Sequence, residues 1–240
     1  MTSLRFFVNV DQFAQGQLVA LEETEFHHAR DVVRVRIGEQ VALINGKGWL
    51  ALSHVETLER HRCLLRVASV SHEERFTAKL WLGLSLTRPG HLDFAIEKGT
   101  EVGVDTFVLF PSDKSEKKPM SDSLVRRLTA LTIAATKQSG RLFLPKIVTV
   151  HSLQEALLAL PRPHLWADLH EQAVPLQQRL ATLPPSEPLS LLIGPESGWS
   201  EEEKQLLSHA SPPVLLHTNV LRAETAAVVG AYLASLYISC

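Results

Sequence analysis

Short apolar or alternating runs dominate the first seventy or so residues of the chain, at 5–8, 40–44, 49–55 and 62–70. Runs of this length with period-two alternation predict β-strands, and Asn45-Gly46 is typical of a hairpin turn. One helix is predicted near residues 24–33. The pattern therefore predicts a small β-barrel with one helix, bounded by the polar stretch at 72–75 because domain boundaries fall in exposed polar segments.

Beyond residue 78 the pattern changes to strands that alternate with helices. Apolar runs of strand length lie at 79–86, 106–110, 146–150, 164–168, 189–193 and 214–217. Such alternation predicts an α/β domain with a mainly parallel sheet covered on both faces. Ser121 can cap a helix that ends at Gly140, and Ser152 with Glu155 forms a candidate capping box.

A loop rich in glycine and proline joins one of these strands to a helix. The run 189–193 enters Gly194-Pro195-Glu196-Ser197-Gly198-Trp199, and Ser200 with Glu203 can form a capping box at the next helix. In open α/β sheets, ligands bind beyond the carboxyl ends of the strands, where glycines let the backbone approach closely. The loop is a candidate ligand-binding turn, with an ordinary structural turn as the alternative.

Charge at the start of this helix restricts the ligand. Residues 201–203 are three glutamates that already occupy the positive end of the helix dipole, so a phosphate is repelled. The loop also lacks the spacing of dinucleotide fingerprints and of P-loops. A nucleoside-like ligand without phosphates is therefore favoured, and S-adenosylmethionine fits that description.

A second polar loop follows the apolar run at 214–216. It reads Asn219-Val220-Leu221-Arg222-Ala223-Glu224-Thr225-Ala226 and leads into an apolar helix. The two loops in this order closely resemble the C-terminal signature of the ribosomal RNA small subunit methyltransferase E family, within the SPOUT superfamily of knotted methyltransferases. Further similar motifs lie at residues 97–104 and 138–141, and the amino-terminal part is similar at 5–8, 27–34 and 45–48.

The resemblance implies both the fold and the division of the chain. It implies a SPOUT-type parallel sheet with a deep trefoil knot at residues 73–240, preceded by a PUA-like β-barrel RNA-binding domain at residues 1–72. It also implies a homodimer, with which the apolar final helix is compatible, although plain core packing explains that helix equally well. Neither knot nor dimer follows from the spacing of residues, since threaded chains are rare exceptions to ordinary topology.

The resemblance further implies methyl transfer from S-adenosylmethionine to N3 of a uridine in small-subunit (16S) ribosomal RNA. The partner is that RNA or the assembled small ribosomal subunit. Arginine presents a planar fork of donors, so Arg222 and then Arg141 are candidate catalytic contacts to uracil or its phosphate. Glu224 is a candidate for orienting Arg222 or for accepting a proton, and the alternative is that it serves the dipole of the last helix.

The remaining candidate residues fall into two groups. The cofactor pocket is expected to comprise Leu169, Ile193, Gly194, Pro195, Glu196, Gly198, His217, Val220 and Leu221. The residues expected to contact RNA are Arg5, Arg30, Arg34, Arg36, Lys114 and Arg141. An ordinary surface charge is the alternative for each cation taken singly.

Several positions depart from the family pattern. His217 and Asn219 stand where the family usually has Gly and Arg, Ser197 replaces a glycine, and Lys114 and Lys137 replace an arginine and an acidic residue. Replacing arginine by lysine or asparagine loses a planar bidentate donor. Two alternatives therefore stay open: an RNA-binding or assembly factor that keeps the fold with a degenerate cofactor site, and a SPOUT methyltransferase that acts on a different RNA.

Composition adds three constraints. The net charge is −2, yet residues 111–150 hold a local excess of cations suited either to phosphate contact or to a solvated helix face: Lys114, Lys117, Lys118, Arg126, Arg127, Lys137, Arg141 and Lys146. The two cysteines and eleven histidines show no metal-ligand spacing, so neither a metal nor a disulfide is expected. The sequence start lacks a signal-peptide pattern and the final helix is too short to span a bilayer, which predicts a cytoplasmic protein without membrane contact.

Overall fold

A computed structural model of the chain describes residues 4–75, 79–115 and 120–238. The chain divides into two compact units. One comprises Met1–Arg75 with Thr136–Leu144, and the other comprises Phe76–Ala135 with Pro145–Cys240.

The first unit is built around a five-stranded sheet. Its elements are β1 (Arg5–Phe7), β2 (Leu18–Leu21), α1 (Glu23–His27), a turn of π-helix (His28–Val32), β3 (Gln40–Ile44), β4 (Trp49–Leu58) and β5 (Cys63–His72). The strands pair in the order β1-β3-β4-β5-β2, with β1 parallel to β3 and the other pairs antiparallel. Phe6, Leu43 and Leu65 pack in one core with residues of β2 and α1. This half-barrel confirms the predicted PUA-like class.

Two features of this unit differ from the sequence prediction. The strand β2 was not predicted, because four consecutive apolar residues are too few to show alternation. These residues become a strand by pairing with β5. The helix expected over residues 24–33 is instead α1 followed by a π-helical turn. Arg34, just after that turn, has a left-handed backbone with φ of 55°. Interruptions of this kind are frequent at functional segments.

Residues 136–144 join the first unit through specific contacts. Lys137 Nζ lies 2.6 Å from Glu25 Oε1, and both side chains are less than one-fifth exposed. The main-chain N–H of Leu144 donates to the carbonyl oxygen of Gly46 at 2.9 Å. A Cβ at Gly46 would lie 2.7 Å from Leu144 Cβ. The Asn45-Gly46 turn is therefore shaped by this close approach as well as by its own φ of 70°.

The second unit is built around a seven-stranded sheet. Its elements are β6 (Leu80–Ser85), α2 (Pro89–Glu101), β7 (Thr106–Phe110), α3 (Asp122–Ser139, whose last turn belongs to the first unit), β8 (Lys146–Thr149), α4 (Leu153–Ala159), β9 (His164–Ala167), β10 (Val174–Pro175), α5 (Leu176–Leu180), β11 (Leu189–Ile193), α6 (Glu201–Ser208), β12 (Pro213–Leu215) and α7 (Ala223–Ile238). The order is β10-β12-β9-β11-β6-β7-β8, and every neighbouring pair is parallel. The parallel sheet confirms the predicted α/β class, and the knot stays a prediction.

Helices cover both faces of the parallel sheet. Phe107 and Leu109 of β7 pack in the core that includes α2 and α7. Val108 and Phe110 of the same strand pack with α4 and α6. Since successive side chains of a strand point to opposite faces, strands buried on both sides must be nearly all apolar. This explains why β7 and β11 read as continuous hydrophobic runs.

The predicted helix caps differ in how completely they form. At α6 both halves of the capping box are present between Ser200 and Glu203. At α4, Ser152 Oγ accepts the Glu155 N–H at 3.1 Å, but the Glu155 carboxylate accepts from His151 N at 2.9 Å, so the predicted box is wrong in its second half. At α3, Ser121 Oγ accepts the Leu124 N–H at 3.3 Å.

The last helix, α7, packs closely because its sheet-facing side is made of small residues. Ala227, Gly230, Ala231 and Ala234 are buried. A Cβ at Gly230 would lie 2.5 Å from Leu191 Cδ2 of β11, so only glycine permits this approach. Within the described ranges, no helix combines the length and apolar character needed to cross a membrane.

Candidate active site

A cleft of about 660 Å³ opens at the carboxyl ends of three neighbouring strands, β9, β11 and β12. The residues that follow these strands line it, together with the first turns of α2 and α7. Its volume falls within the range of about 300–1,000 Å³ that is typical of small-molecule sites. Ligands of open α/β sheets bind at this edge.

The residues predicted for the cofactor pocket all line this cleft: Leu169, Ile193, Gly194, Pro195, Glu196, Gly198, His217, Val220 and Leu221. Except for Ile193, the last residue of β11, they come from three loops, one after each of the three strands. The pairing of β9 with both β11 and β12 places these loops at one edge of the sheet. Their roles in binding stay predictions.

Two glycines and a tryptophan shape the loop after β11. Gly198 has φ of 72°, a left-handed conformation that L side chains adopt at a cost. A Cβ at Gly194 would lie 2.9 Å from the ring of Trp199. Trp199 is buried, stacks on Phe110 with ring centroids 6.2 Å apart, and donates from Nε1 to the Ala167 carbonyl at 3.0 Å. The tryptophan thus anchors the loop, and the glycines leave its backbone open to the cleft.

Glu203 ties this loop to the loop after β7. Its Oε2 accepts the main-chain N–H of Ser200 at 2.8 Å, which completes the capping box. Its Oε1 accepts the Ser112 hydroxyl at 2.6 Å and the Asp113 N–H at 3.0 Å. Ser200 Oγ donates to Asp113 Oδ2 at 2.6 Å. One buried carboxylate therefore holds two loops, a role that the local capping pattern does not predict.

Lys114, predicted to contact RNA, is held against the same glycine-containing loop. Its Nζ donates to the carbonyl oxygen of Trp199 at 2.9 Å, and Ser197 Oγ donates to the carbonyl oxygen of Lys114 at 3.0 Å. Ser197, one of the departures from the family pattern, thereby has a structural partner. Lys114 also lines the cleft, and an ammonium group carries three donors, so it can contact a ligand as well.

A histidine side chain in the loop after β12 accepts a hydrogen bond from the main chain of the same loop. His217 Nδ1 accepts the main-chain N–H of Asn219 at 2.9 Å, so the imidazole is folded onto the loop. Both residues are exposed and line the cleft, as does Val220, which is 80% exposed. The departures at positions 217 and 219 therefore leave a cleft of ligand size.

Arg222 and Glu224 stand at the start of α7. Arg222 is exposed and lines the cleft, while its carbonyl oxygen accepts the Ala226 N–H at 2.8 Å. The Glu224 side chain is 12% exposed. Arg222 therefore presents a cation to the cleft, and Glu224 forms part of its wall.

Three charged or titratable residues of the cleft were missed by the sequence reasoning. Arg88 and His91 begin α2, and Asp168 directly follows β9. Asp168 Oδ1 accepts the Leu169 N–H at 2.8 Å. Arg88 and His91 follow β6, which lies beside β11 in the sheet. Because the loop after β6 then opens at the same edge, sheet order locates these residues, and sheet order is not visible in the sequence.

Two of the RNA-binding candidates in the first unit already have partners. Arg30 donates to both carboxylate oxygens of Asp31, at 2.7 and 2.8 Å, and lies over the ring of Phe26. These hydrogen bonds hold the pKa of the Asp31 carboxyl below its usual value. Arg5 donates to the carbonyl oxygen of Lys137 at 3.4 Å. Their contact with RNA requires either a second donor of the guanidinium or the loss of these bonds.

The other candidates differ in exposure. Arg34 and Arg36 are exposed in the segment after the π-helical turn, flanked by Val32 and Ile37, which are 62% and 69% exposed. Arg141 is partly buried and is not among the residues that line the cleft. Lys117 and Lys118 of the basic segment lie outside the described residues. The part of the chain that the structure describes holds no cluster of His, Cys, Asp and Glu suited to a metal ion.

Comparison with known proteins identifies the class. The sequence profile of the RNA methyltransferase domain matches residues 74–235, and that of the RNA methyltransferase PUA domain matches residues 21–68. The chain belongs to the RNA methyltransferase family.

Relatives within this class carry one shared name. The chain is 23% identical to ribosomal RNA small subunit methyltransferase E of Rickettsia conorii over 226 residues, which cover 93% of this chain and 91% of the relative. It is 29% identical to the protein of that name from Mycobacterium bovis over 225 residues, 89% of this chain and 84% of the relative. The resemblance inferred from the motifs is confirmed.

A solved structure supports the same assignment of the fold. The crystal structure of a ribosomal RNA small subunit methyltransferase E from Neisseria gonorrhoeae, bound to S-adenosyl methionine, matches with a TM-score of 0.84 and 25% sequence identity. The match covers 95% of each chain. The predicted fold class is confirmed over nearly the whole chain.

Proposed function

We propose that this protein transfers the methyl group of S-adenosylmethionine to N3 of a uridine in small-subunit ribosomal RNA. One observation carries the proposal: three loops separated in sequence converge on one cleft of ligand size, in a chain of the RNA methyltransferase family. Relatives across most of the chain are named for small-subunit ribosomal RNA methylation.

The walls of the cleft suit such a cofactor. Leu169, Val220 and Leu221 supply apolar surface for an adenine ring, while the glycine-containing loop supplies main-chain groups for its edge. The helix that follows this loop starts with glutamates and is already capped, so the start of this helix does not favour a phosphate. When bound, S-adenosylmethionine supplies an electrophilic methyl group on a sulfonium.

The residues of the cleft must activate the uridine. N3 of uracil is a weak nucleophile until it loses its proton, and charge then develops on the flanking carbonyl oxygens. Arg222, exposed in the cleft, is positioned to donate to one of these oxygens or to the adjacent phosphate. Glu224 lies in the cleft wall two positions further along, where it can orient Arg222 or accept a proton.

Two features support RNA as the partner: the RNA-binding type of the first domain and the cations that line the cleft. A PUA-type RNA-binding domain at residues 1–72 and the exposed Arg34 and Arg36 supply contacts to the phosphate backbone. The methyltransferase domain at residues 73–240 supplies the pocket. A uridine inside folded RNA must be extruded, at a cost of a few kcal/mol, so contacts made by the RNA-binding domain offset that cost. The cytoplasm, where small subunits assemble, is the proposed location.

A homodimer is proposed from the apolar surface of the second unit. Phe94 of α2 and Tyr232 and Leu236 of α7 are 45%, 50% and 49% exposed, and these two helices pack against each other. Exposed large side chains on adjoining helices are typical of a protein interface. Sedimentation should give a dimer for the wild type, and Tyr232→Glu with Leu236→Glu should give a monomer. A monomeric wild type at micromolar concentration contradicts the proposal.

The decisive experiment is methyl transfer from labelled S-adenosylmethionine to small ribosomal subunits that lack the modification, followed by mass-spectrometric mapping of the product nucleoside. N3-methyluridine at one site is the expected result. Two outcomes favour the alternative of an RNA-binding or assembly factor. One is that calorimetry shows cofactor binding but no RNA is methylated, and the other is that the cofactor does not bind. Transfer to a different RNA, with ribosomal subunits unmodified, favours a related methyltransferase with another target.

A further inference from the structure

His91 lies in the first turn of α2, and two glutamates from other elements converge on one of its ring nitrogens. His91 Nδ1 lies 3.2 Å from Glu196 Oε1, in the glycine-containing loop after β11. The same nitrogen lies 3.5 Å from Glu224 Oε2, at the start of α7. All three residues line the cleft. The arrangement brings together residues that are more than one hundred positions apart in the sequence.

Burial differs among the three side chains. Glu224 is 12% exposed, whereas His91 and Glu196 are 34% and 40% exposed. Glu224 Oε2 is buried and, among the described residues, makes no hydrogen bond. A buried carboxylate oxygen without a donor is costly, and His91 Nδ1 lies 3.5 Å from this oxygen. The carboxylates therefore favour the His91 tautomer with its proton on Nδ1, which leaves Nε2 as a proton acceptor.

Other charged residues also line the cleft. Arg88 immediately precedes α2, Arg222 precedes α7, and Lys114 follows β7. Asp168 stands at the end of β9. Cations in the cleft stabilise an anionic uracil, and the two carboxylates beside His91 stabilise the imidazolium that forms when it takes a proton. The negative charge on uracil therefore forms in a cleft that contains cations, and the positive charge on His91 forms beside two carboxylates.

We propose that His91 is the proton acceptor for N3 of the uridine, and that Glu224, assisted by Glu196, is a positioning residue that holds the His91 ring. This inference rests on the proposed function. The proton moves from N3 to His91 Nε2, and the N–H electron pair stays on N3. That pair then forms the new bond from N3 to the methyl carbon, while the carbon–sulfur pair returns to sulfur and leaves a neutral thioether. His91 returns its proton to water once the product leaves.

The test uses the full-length protein and small ribosomal subunits. His91→Ala should lower the single-turnover rate of methyl transfer by at least about 100-fold, the usual contribution of a positioned base. Calorimetry should show unchanged affinity for S-adenosylmethionine. His151→Asn, which changes an exposed histidine outside the cleft, is the matched control and should keep the wild-type rate.

Chemical rescue separates a proton acceptor from a structural residue. Free imidazole should restore the rate of His91→Ala, and the rate should increase with imidazole concentration, because the small base can enter the space left by the side chain. A rate within a few-fold of the wild type, or a loss that imidazole does not restore, overturns the proposal.

Glu224→Gln tests the positioning role. We expect slower transfer with unchanged affinity for S-adenosylmethionine, because a neutral amide is a weaker acceptor for the ring N–H than a carboxylate. Glu224→Asp, which keeps a carboxylate, should recover part of the rate. A wild-type rate in Glu224→Gln, or no recovery in Glu224→Asp, removes Glu224 from this role. The wild type is assayed before any variant. If it transfers methyl groups to no RNA, the proposed function itself is contradicted, and this outcome is distinct from failure of the proposal on His91.

Discussion

Glu203 Oε1 accepts the hydroxyl of Ser112 at 2.6 Å, although the two residues are 91 positions apart in the sequence. The same carboxylate also caps α6 through Ser200. The loop after β7 and the loop after β11 are therefore fastened to each other by one side chain that is 6% exposed.

Removing this carboxylate should destabilise the second unit. Glu203→Ala leaves the N–H groups of Asp113 and Ser200 and the Ser112 hydroxyl without their acceptor. We expect a loss of roughly 2–4 kcal/mol in the free energy of unfolding, because buried donors lose a charged acceptor and the helix loses its cap. Urea denaturation measures this loss. Glu202→Ala, one residue earlier and exposed, should change stability by less than about 0.5 kcal/mol; equal effects of the two variants contradict the assignment.

The glycines of the cleft should be intolerant of a methyl group. Gly194→Ala places Cβ against the Trp199 ring, and Gly198→Ala forces an L residue into a left-handed backbone. Each change should cost about 1–3 kcal/mol and weaken the binding of S-adenosylmethionine in calorimetry. Gly90→Ala is the matched control, because a Cβ there meets no atom within 4 Å and the residue lies in a helix. Retained affinity in both cleft variants contradicts the predicted role of this loop.

Arg222 should act on transfer rather than on cofactor binding. Arg222→Ala should abolish measurable methyl transfer and leave the affinity for S-adenosylmethionine largely intact, since its guanidinium is assigned to uracil or its phosphate. Arg222→Lys should restore little, because lysine lacks the planar fork. Arg179→Ala, on α5 and outside the cleft lining, serves as the control. Unchanged transfer by Arg222→Ala removes this residue from the mechanism.

Protonation of Glu56 in acid should remove a small part of the stability of the first unit. Arg66 hydrogen-bonds both carboxylate oxygens of Glu56, and this lowers the pKa of Glu56 below its ordinary value. A lowered folded-state pKa favours the ionised form, so the contribution is present above the unfolded pKa of about 4.3 and is lost as pH falls through the folded value. Urea midpoints measured between pH 7 and pH 3 should fall less steeply for Glu56→Gln than for the wild type. Equal slopes, or the same change in Glu74→Gln, contradict this attribution.

How far the sequence predicted the structure depended on the range of the interactions. The capping box at Ser200 and Glu203 was predicted because its hydrogen bonds join residues three positions apart. The box at Ser152 was wrong in its second half, since the Glu155 carboxylate accepts from the main-chain N–H of His151, and local spacing does not choose between this donor and that of Ser152. The β2 strand was missed because it becomes a strand by pairing with β5, more than forty positions away.

The sequence by itself determined six of the seven strands of the α/β unit and the helices between them, whereas the two-residue strand β10 was not predicted. It also determined the caps of α3 and α6, the two loops that carry the family signature and the residues after β9, β11 and β12 that line the cleft. These features depend on side-chain period, turn chemistry and contacts within a few residues. The tertiary structure decided the strand order, and with it the entry of Arg88 and His91 into the cleft, the second role of Glu203 and the convergence of Glu196 and Glu224 on one imidazole. Such contacts form between residues tens of positions apart, and the packing of the whole sheet selects them.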